Sequence, residues 1–336
     1  MIKSLPTVTA IIATYNGQNT IGKCLNSLRN QDYPQDKIDI IIIDGSSKDD
    51  TLEIAKKFGV SVIIVSSKLQ NAEYNKGVGV RKAKGDLLLM IDHDNVLPHN
   101  KWLVKMVEPL INNSDVVAVE TLRYHYDPKA SLLDRYFALF GTGDPLAFYL
   151  GKADRLSFIY ENYNLHGDYE DKGNYYLVQF APEKVPTLGA NGFLIRRKIL
   201  VENARIDEEH FFHIDVNVDL IRKGFNKYAF IKDDIIHLTG YKNISRFLYR
   251  RKLFMEQFHI KRHSNRRYSV YTPKDKLKLF VFILYALTFV KPFYDSIRGY
   301  IKIQDFAWFL HPFLCFTLLL IYATVTVETS LKGYAR

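Results

Sequence analysis

Cysteine is nearly absent from this chain: Cys24 and Cys315 are the two in 336 residues. They lie far apart in unlike contexts, so there is no disulfide framework and no cysteine metal cluster to read. A reducing, cytosolic setting fits the soluble part. Also missing is a G-x-G-x-x-G after the first apolar run. Gly77 and Gly79 come late and in the wrong company, which argues against a dinucleotide fold. No G-x-x-x-x-G-K-S/T occurs, which makes a P-loop enzyme a poor reading. The start, MIKSLPTVTAIIATYNG, makes a weak signal peptide. Its apolar stretch is short, holds a proline and leads straight into a strand-turn pattern. Internal repeats and low-complexity tracts are likewise missing. The length leaves room for one large domain or two smaller ones, and a hydrophobic fraction of 47% argues against disorder.

Acidic residues are outnumbered, giving a formal charge of +10, and the deficit is local. From Lys242 to Lys274 there are ten Lys/Arg and a single acid, Glu256. The stretch NISRFLYRRKLFMEQFHIKR interleaves these cations with Phe, Leu and Met. Such a segment, assigned to residues 241–275, can rest on an anionic bilayer surface. Two apolar runs follow it, Leu277 to Val290 and Phe306 to Val327, the second free of Lys, Arg, Asp and Glu over 22 residues. A run of that length can span a hydrocarbon core. Together, over residues 276–330, they read as a membrane hairpin with a connector around Gly299 to Asp305. The first run alone is also consistent with a re-entrant or interfacial helix. With hydrophobic spans adjoining the cations, lipid headgroups are a better partner for the charge than nucleic acid. The positive-inside tendency then puts the large N-terminal part in the cytoplasm.

That N-terminal part, residues 1–240, alternates strand and helix signals. Strands are expected at Thr7 to Thr14, Ile38 to Ile43, Val60 to Val65, Leu87 to Ile91 and Val116 to Glu120. Helices are expected through Cys24 and Leu28, over Thr51 to Phe58 behind a cap at Asp49 or Asp50, over Asn75 to Lys84, and over Pro98 to Ile111. This alternation argues for a parallel α/β sheet covered on both faces. Residues 124–186 read as a long, aromatic, irregular insertion whose aromatics either belong to the core or line a groove on the acceptor side of a site.

Ligands of such sheets bind beyond the carboxyl ends of the strands. Three strand ends here carry polar residues: Thr14-Tyr15-Asn16, Asp44-Gly45-Ser46 and Asp92-His93-Asp94. Alternate residues on a strand can face one site. Carboxylate oxygens suit Mg2+ or Mn2+, usually together with substrate phosphates.

AIIATYNG, IIIDGSSKDDT, Asn75-Lys76-Gly77 and KAKGDLLLMIDHDNVLP, in that order and spacing, resemble family 2 glycosyltransferases. The likeness continues less closely through LGANGFLIRR and FFHIDVNVDLIRKGF to IIHL. It implies the α/β GT-A fold of nucleotide-diphospho-sugar transferases, with a mostly parallel central sheet, followed here by the C-terminal membrane helical hairpin. It implies that Ala13, Thr14, Tyr15 and Asn16, with Asp44 and Ser46, hold the nucleotide. Asn75 would lie over the nucleotide or donor sugar, and Lys76 or Arg81 could offer charge to the diphosphate. Asp94 would be the main metal ligand, Asp92 would contact ribose or metal-bound water, and His93 between them either packs or joins the nucleotide contacts. His237 follows a late strand where members often carry a histidine near the diphosphate or metal.

The family often places its catalytic base in an acidic pair before a helix. This chain departs from that form, with His213-Ile214-Asp215, and Asp215 is the carboxylate in the matching setting. His213 is either an acceptor contact or structural. Gly189 and Asn191, in Gly189-Ala190-Asn191-Gly192, suit a wall where a sugar approaches the backbone. Arg246, Arg250 and Arg251 could meet the diphosphate of a lipid carrier or that of the donor.

The implied activity is metal-dependent, inverting transfer of a sugar from a nucleotide diphosphate (a UDP- or GDP-sugar, with Mg2+ or Mn2+) to a lipid-linked acceptor at a membrane. The acceptor is a polyprenyl-linked diphosphate or oligosaccharide, or a bare polyprenyl phosphate. A nucleotidyltransferase would need a glycine-rich basic loop after its first strand, which is lacking. A membrane-anchored binding protein that has lost catalysis sits badly with four intact acids, Asp44, Asp92, Asp94 and Asp215.

Overall fold

The computed structural model describes residues 5–182, 184–241, 243–256, 266–268 and 272–334. Residues 257–265 and 269–271, part of the segment expected on the bilayer surface, lie outside the described residues. The chain divides into two compact units, Met1–His125 with His166–Leu238, and Tyr126–Leu165 with Thr239–Arg336.

The first unit is built on β1 (Val8–Thr14), β2 (Ile38–Asp44), β3 (Ser61–Ile64), β4 (Leu87–Asp92), β5 (Asn95–Val96), β6 (Val116–Tyr124), β7 (Asp168–Asp171), β8 (Tyr175–Gln179), β9 (Phe193–Arg196) and β10 (Lys227–His237). Among the described residues the strands run β3-β2-β1-β4-β9-β6-β10-β8-β7 across the sheet, with β5 paired to β10. Every residue of β1 is buried, as is all of β4 up to Ile91. Continuous apolar runs of this kind belong to central strands covered on both faces. β3, at the edge, is mostly exposed.

The expectation of a mostly parallel sheet needs correction. The β1/β2, β1/β4, β2/β3 and β6/β10 pairs are parallel. The β4/β9, β6/β9, β8/β10, β7/β8 and β5/β10 pairs are antiparallel. The sheet is therefore mixed, because β9 enters between β4 and β6 against the direction of both. Apolar runs specify that a strand is buried but not which way its neighbours point. The segment read as irregular also resolves. Residues 168–179 form the β7–β8 hairpin, and residues 126–165 belong to the second unit with helices Leu132–Phe140 and Pro145–Leu150.

Helix Ala72–Lys82 lies on β1 and starts about a turn earlier than the expected Asn75. Asn71 caps it by accepting from the Tyr74 amide at 2.9 Å. Gly79 faces β1, where a Cβ would fall 2.2 Å from Ile11 Cγ2. The missing side chain is what lets helix and strand approach.

In the second unit Tyr136, Phe140, Trp308, Leu314 and Leu318 share one core. Polar groups are paired inside it. Arg135 and Tyr126 both hold Asp305, Lys152 holds Asp275, and Arg251 binds Asp144 and the Tyr322 hydroxyl. Among the described residues one helix, Phe306–Leu331, is long and apolar enough to cross a membrane, with 26 residues and an 18-residue stretch whose mean hydropathy is 1.9. The apolar run before it is broken, and its two halves form either one bent span or a re-entrant pair. Helices Lys276–Thr288 and Val290–Lys302 meet at an 80° bend, where Phe289 takes φ 62°. Each has 13 residues. That is about 20 Å of helix, short of a hydrocarbon core of about 30 Å. The expected connector, Gly299 to Asp305, is helical as far as Lys302.

Replacing a helical glycine with alanine ordinarily gains about 0.5–1 kcal/mol. At Gly79 the clash with Ile11 outweighs that gain, since overpacking costs about 1–3 kcal/mol. Gly79→Ala is expected to lower the unfolding temperature of the detergent-solubilised chain, and a higher one would refute the close packing.

Candidate active site

The register of the parallel strands assembles the site. Thr14 pairs with Asp44 across β1/β2, and Ala13 pairs with Asp92 across β1/β4. Three strand ends distant in sequence thus sit side by side at the carboxyl edge. The loops beyond them are laced together. The Asn16 amide donates to Ser47 Oγ at 2.8 Å, the Lys48 amide to Asn16 Oδ1 at 2.9 Å, and the Gly17 amide to Thr51 Oγ1 at 2.7 Å. Asn16 adopts φ 51°, a left-handed conformation that asparagine tolerates. Tyr15 stands exposed between them.

Asp44 is fully buried, and its carboxylate accepts from the Ser47 amide at 2.7 Å and the Ser47 hydroxyl at 2.6 Å. Ser46 donates its hydroxyl to the Val65 carbonyl at 2.7 Å. Both expected nucleotide contacts thus have structural partners. Asn75 donates to the Ile43 carbonyl at 3.3 Å, while its Oδ1 and Thr14 Oγ1 are buried without a hydrogen-bond partner among the described residues. His93 exchanges a hydrogen bond with Thr20 at 2.8 Å.

The Lys76 ammonium, 1% exposed, lies 3.0 and 3.1 Å from the two carboxylate oxygens of Asp92. Burial pulls Lys76 downward, but Asp92 and then Glu73 outweigh it and hold the ammonium above its ordinary value. Arg81, the other cation considered for the diphosphate, is bidentate to Glu208 at 2.6 and 2.7 Å. Arg196 is spent on the carbonyls of Val116, Leu110 and Asn113.

Asp94 lies 3.7 Å from His237 Nε2, and the Leu238 amide donates to the Asp94 carbonyl at 2.8 Å. Burial opposes ionisation of Asp94, yet His237 and then His93 bring its carboxyl below the usual range. Among the described residues no group of three or more His, Cys, Asp or Glu could hold a metal. The Asp94–His237 pair nevertheless fits a divalent ion that takes its other ligands from a diphosphate and water. Two atoms at bonds of about 2.1 Å to one ion stand at most about 4.2 Å apart, which 3.7 Å satisfies. The His237 ring lies 5.3 Å from that of Tyr124, whose hydroxyl accepts from Asn191 at 2.9 Å. Asn191 and the metal candidates therefore share one corner.

Asp215 is fully buried in the first turn of helix His213–Arg222. Gly189, at φ 102°, packs against that helix, where a Cβ would meet Asn217 Nδ2 at 2.7 Å and the His213 carbonyl at 2.9 Å. Arg246, Arg250 and Arg251 belong to the second unit. Arg246 and Arg250 are exposed, whereas Arg251 is committed to Asp144 and Tyr322.

Sequence reasoning missed Glu73 and Glu120. Glu73 Oε1 lies 2.6 Å from His213 Nδ1, and Oε2 accepts from the His213 amide at 2.9 Å. Burial resists this charge, but His213 outweighs it and brings Glu73 to about 2. Its spacing of three from Lys76 was a visible signal, but its burial was not. Glu120, 2% exposed, accepts from the Gly189 amide at 3.4 Å. An acid followed by more strand, through Tyr124, was the clue there.

The sequence profile of glycosyl transferase family 2 matches residues 9–202. Glycosyltransferase AglE of Haloferax volcanii is 29% identical over 140 residues, 40% of this chain and 46% of that protein. The match thus spans less than half the length of that curated relative. The GalNAc(5)-diNAcBac-PP-undecaprenol beta-1,3-glucosyltransferase of Campylobacter jejuni is 24% identical over 256 residues, 72% of this chain and 71% of that one. Among solved structures, mannosyltransferase PcManGT from Pyrobaculum calidifontis, in complex with GDP-Man and Mn2+, is a distant likeness. Its TM-score is 0.48 at 17% identity, covering 99% of this chain and 85% of that one.

The depressed Glu73 predicts a pH dependence. Its stabilising charge is fully present above the unfolded value near 4.5 and is lost as pH falls through about 2. The shift corresponds to on the order of 3 kcal/mol. Glu73→Gln is expected to unfold more easily than the parent at pH 7, with the gap closing as pH drops below about 4. Denaturant midpoints across pH measure this, and a gap that does not change with pH would contradict it.

Proposed function

The chain belongs to glycosyl transferase family 2, and on that premise we propose that it is a metal-dependent, inverting glycosyltransferase moving a sugar from a nucleotide-diphosphate donor to a lipid-linked acceptor at a membrane. One observation carries this reading. The strand register sets Asp44, Thr14 and Asp92 in a row beside the Asp94–His237 pair. A row of polar strand ends next to an oxygen and nitrogen donor suits a nucleoside diphosphate on the carboxyl edge of an α/β sheet.

In this reading Asp44 and the β1 loop seat the nucleoside, and the unpartnered Thr14 Oγ1 and Asn75 Oδ1 are satisfied by the donor. Asp94 and His237 would hold a divalent metal, Mg2+ or Mn2+, which would supply positive charge to offset that of the nucleoside diphosphate. Lys76 holds the Asp92 carboxylate in place. Asp215 accepts the proton of an acceptor hydroxyl. If the acceptor is a bare polyprenyl phosphate, already ionised, Asp215 orients it instead.

The membrane part of the proposal draws support from helix Phe306–Leu331. The Campylobacter relative, named for an undecaprenol-diphosphate substrate, supports the acceptor class. Exposed Arg246 and Arg250 remain candidates for anionic headgroups or carrier phosphates, and the Lys/Arg excess around them favours a cytoplasmic catalytic unit. Arg251 is withdrawn from that role because Asp144 and Tyr322 already engage it.

The test is a screen of UDP- and GDP-sugars against membranes containing the chain, with and without Mn2+, followed by mass analysis of the lipid product. Asp94→Asn is expected to abolish metal-dependent turnover. Asp215→Asn should lower transfer to a hydroxyl acceptor by about 10²- to 10⁴-fold, the range for a general base. Unchanged turnover and metal dependence in Asp94→Asn would place the chemistry elsewhere.

A further inference from the structure

Four buried or half-buried polar side chains form a chain beside the site. Asp92 holds Lys76, Lys76 stands one helical turn from Glu73, and Glu73 grips His213. Lys76 is 1% and Glu73 8% exposed, so water contributes little to either. The grip on His213 is double. One carboxylate oxygen takes the backbone amide at 2.9 Å, and the other faces Nδ1 at 2.6 Å. His213 opens helix His213–Arg222, whose N-cap residue, Phe212, has no side-chain cap to offer. Glu73 therefore supplies, from a segment 140 residues away, the anionic acceptor that a helix start needs.

The same contact sets the imidazole. An ionised carboxylate can only accept, so Nδ1 must donate. The other nitrogen, Nε2, is left to exchange a hydrogen bond elsewhere. Asp215 lies two residues further along this helix. The His213 carbonyl accepts from Asn217 at 2.7 Å, and Asn217 in turn accepts from the Tyr228 hydroxyl at 3.0 Å. The helix start is thus held from the Glu73 side and from β10, with no slack for the groups it carries.

We propose that Glu73 is a positioning residue. It fixes His213 with its proton on Nδ1 and seats the helix that carries Asp215, and through Lys76 it ties that helix to the donor-side carboxylate Asp92. This rests on reading His213 and Asp215 as acceptor-side groups, and the experiment separates the two claims.

The full chain is prepared in detergent with 15N-labelled histidine as the parent, Glu73→Gln, His213→Asn and the double variant. His213→Asn identifies the His213 ring signals. The expected result is a protonated Nδ1 in the parent and loss of that preference in Glu73→Gln. An unchanged His213 ring in Glu73→Gln overturns the proposal. Turnover is then read with the donor found in the sugar-nucleotide screen. Glu73→Gln is expected to lower kcat by about tenfold to a hundredfold, as when an outer partner of a site imidazole is lost, with the donor KM unchanged. The double variant should be no worse than the poorer single one, since the two residues act as a unit. Additive losses, or a loss confined to donor KM, would overturn the coupling. Asp94→Asn serves as the reference. If it stays active while the Glu73 effects hold, the catalytic assignment fails and the positioning claim survives.

Discussion

The Lys76–Asp92 ion pair is the contact around which the first unit is arranged. A lysine ammonium 1% exposed has lost its water, and isolated it would be prohibitively costly to bury. It is tolerated because Asp92 stands within 3.1 Å and Glu73 adds a second negative field. The pair has consequences in both directions. It pins helix Ala72–Lys82 to the end of β4, which orients Asn75 toward the end of β2. It also leaves Glu73 on the opposite side of Lys76, ionised and able to hold a helix from the far end of the unit. Buried pairs are weak evidence for net stability. Their firmer consequence here is geometric, since neither charge can move without leaving the other uncompensated.

The second unit solves a related problem differently. Its helices carry apolar surfaces suited to a lipid environment, yet acids and bases occur inside. Each described pair is satisfied locally: Asp305 by Arg135 and Tyr126, Asp275 by Lys152, Asp144 by Arg251 and Tyr322. The break at Phe289 divides an apolar run into two helices too short to span. One span-length helix then remains among the described residues.

Much of this was legible beforehand where the signal is local. Ile11, Ile42 and Leu89 lie in apolar runs that could only be interior strands. Polar groups at the ends of those runs, Thr14, Asp44 and Asp92, lie together because parallel neighbours end at the same edge. Small residues in Asn75 to Lys84 anticipated close helix packing, and Gly79 against Ile11 is its physical form. Less was legible where a residue's role depends on its partner. Ser46 and Arg251 carry the right chemistry for ligand contacts, but Val65 and Asp144 engage them. Glu73 fell just outside the helix expected from Asn75, and nothing near it in sequence announces His213.

The chain by itself determined the central strands of its N-terminal part, where their polar ends fall, which family its motifs resemble and that its C-terminal part is apolar enough to meet a bilayer. These follow from short-range periodicity, composition and the chemistry of single side chains. Tertiary structure alone decided the antiparallel entry of β9, the bend at Phe289, and the joining of Asp92, Lys76, Glu73 and His213. The reason is physical. Strand direction and buried charge pairing are fixed by contacts between residues as much as 179 positions apart, and the free energy of such contacts depends on what water has been excluded from around them, which no local pattern records.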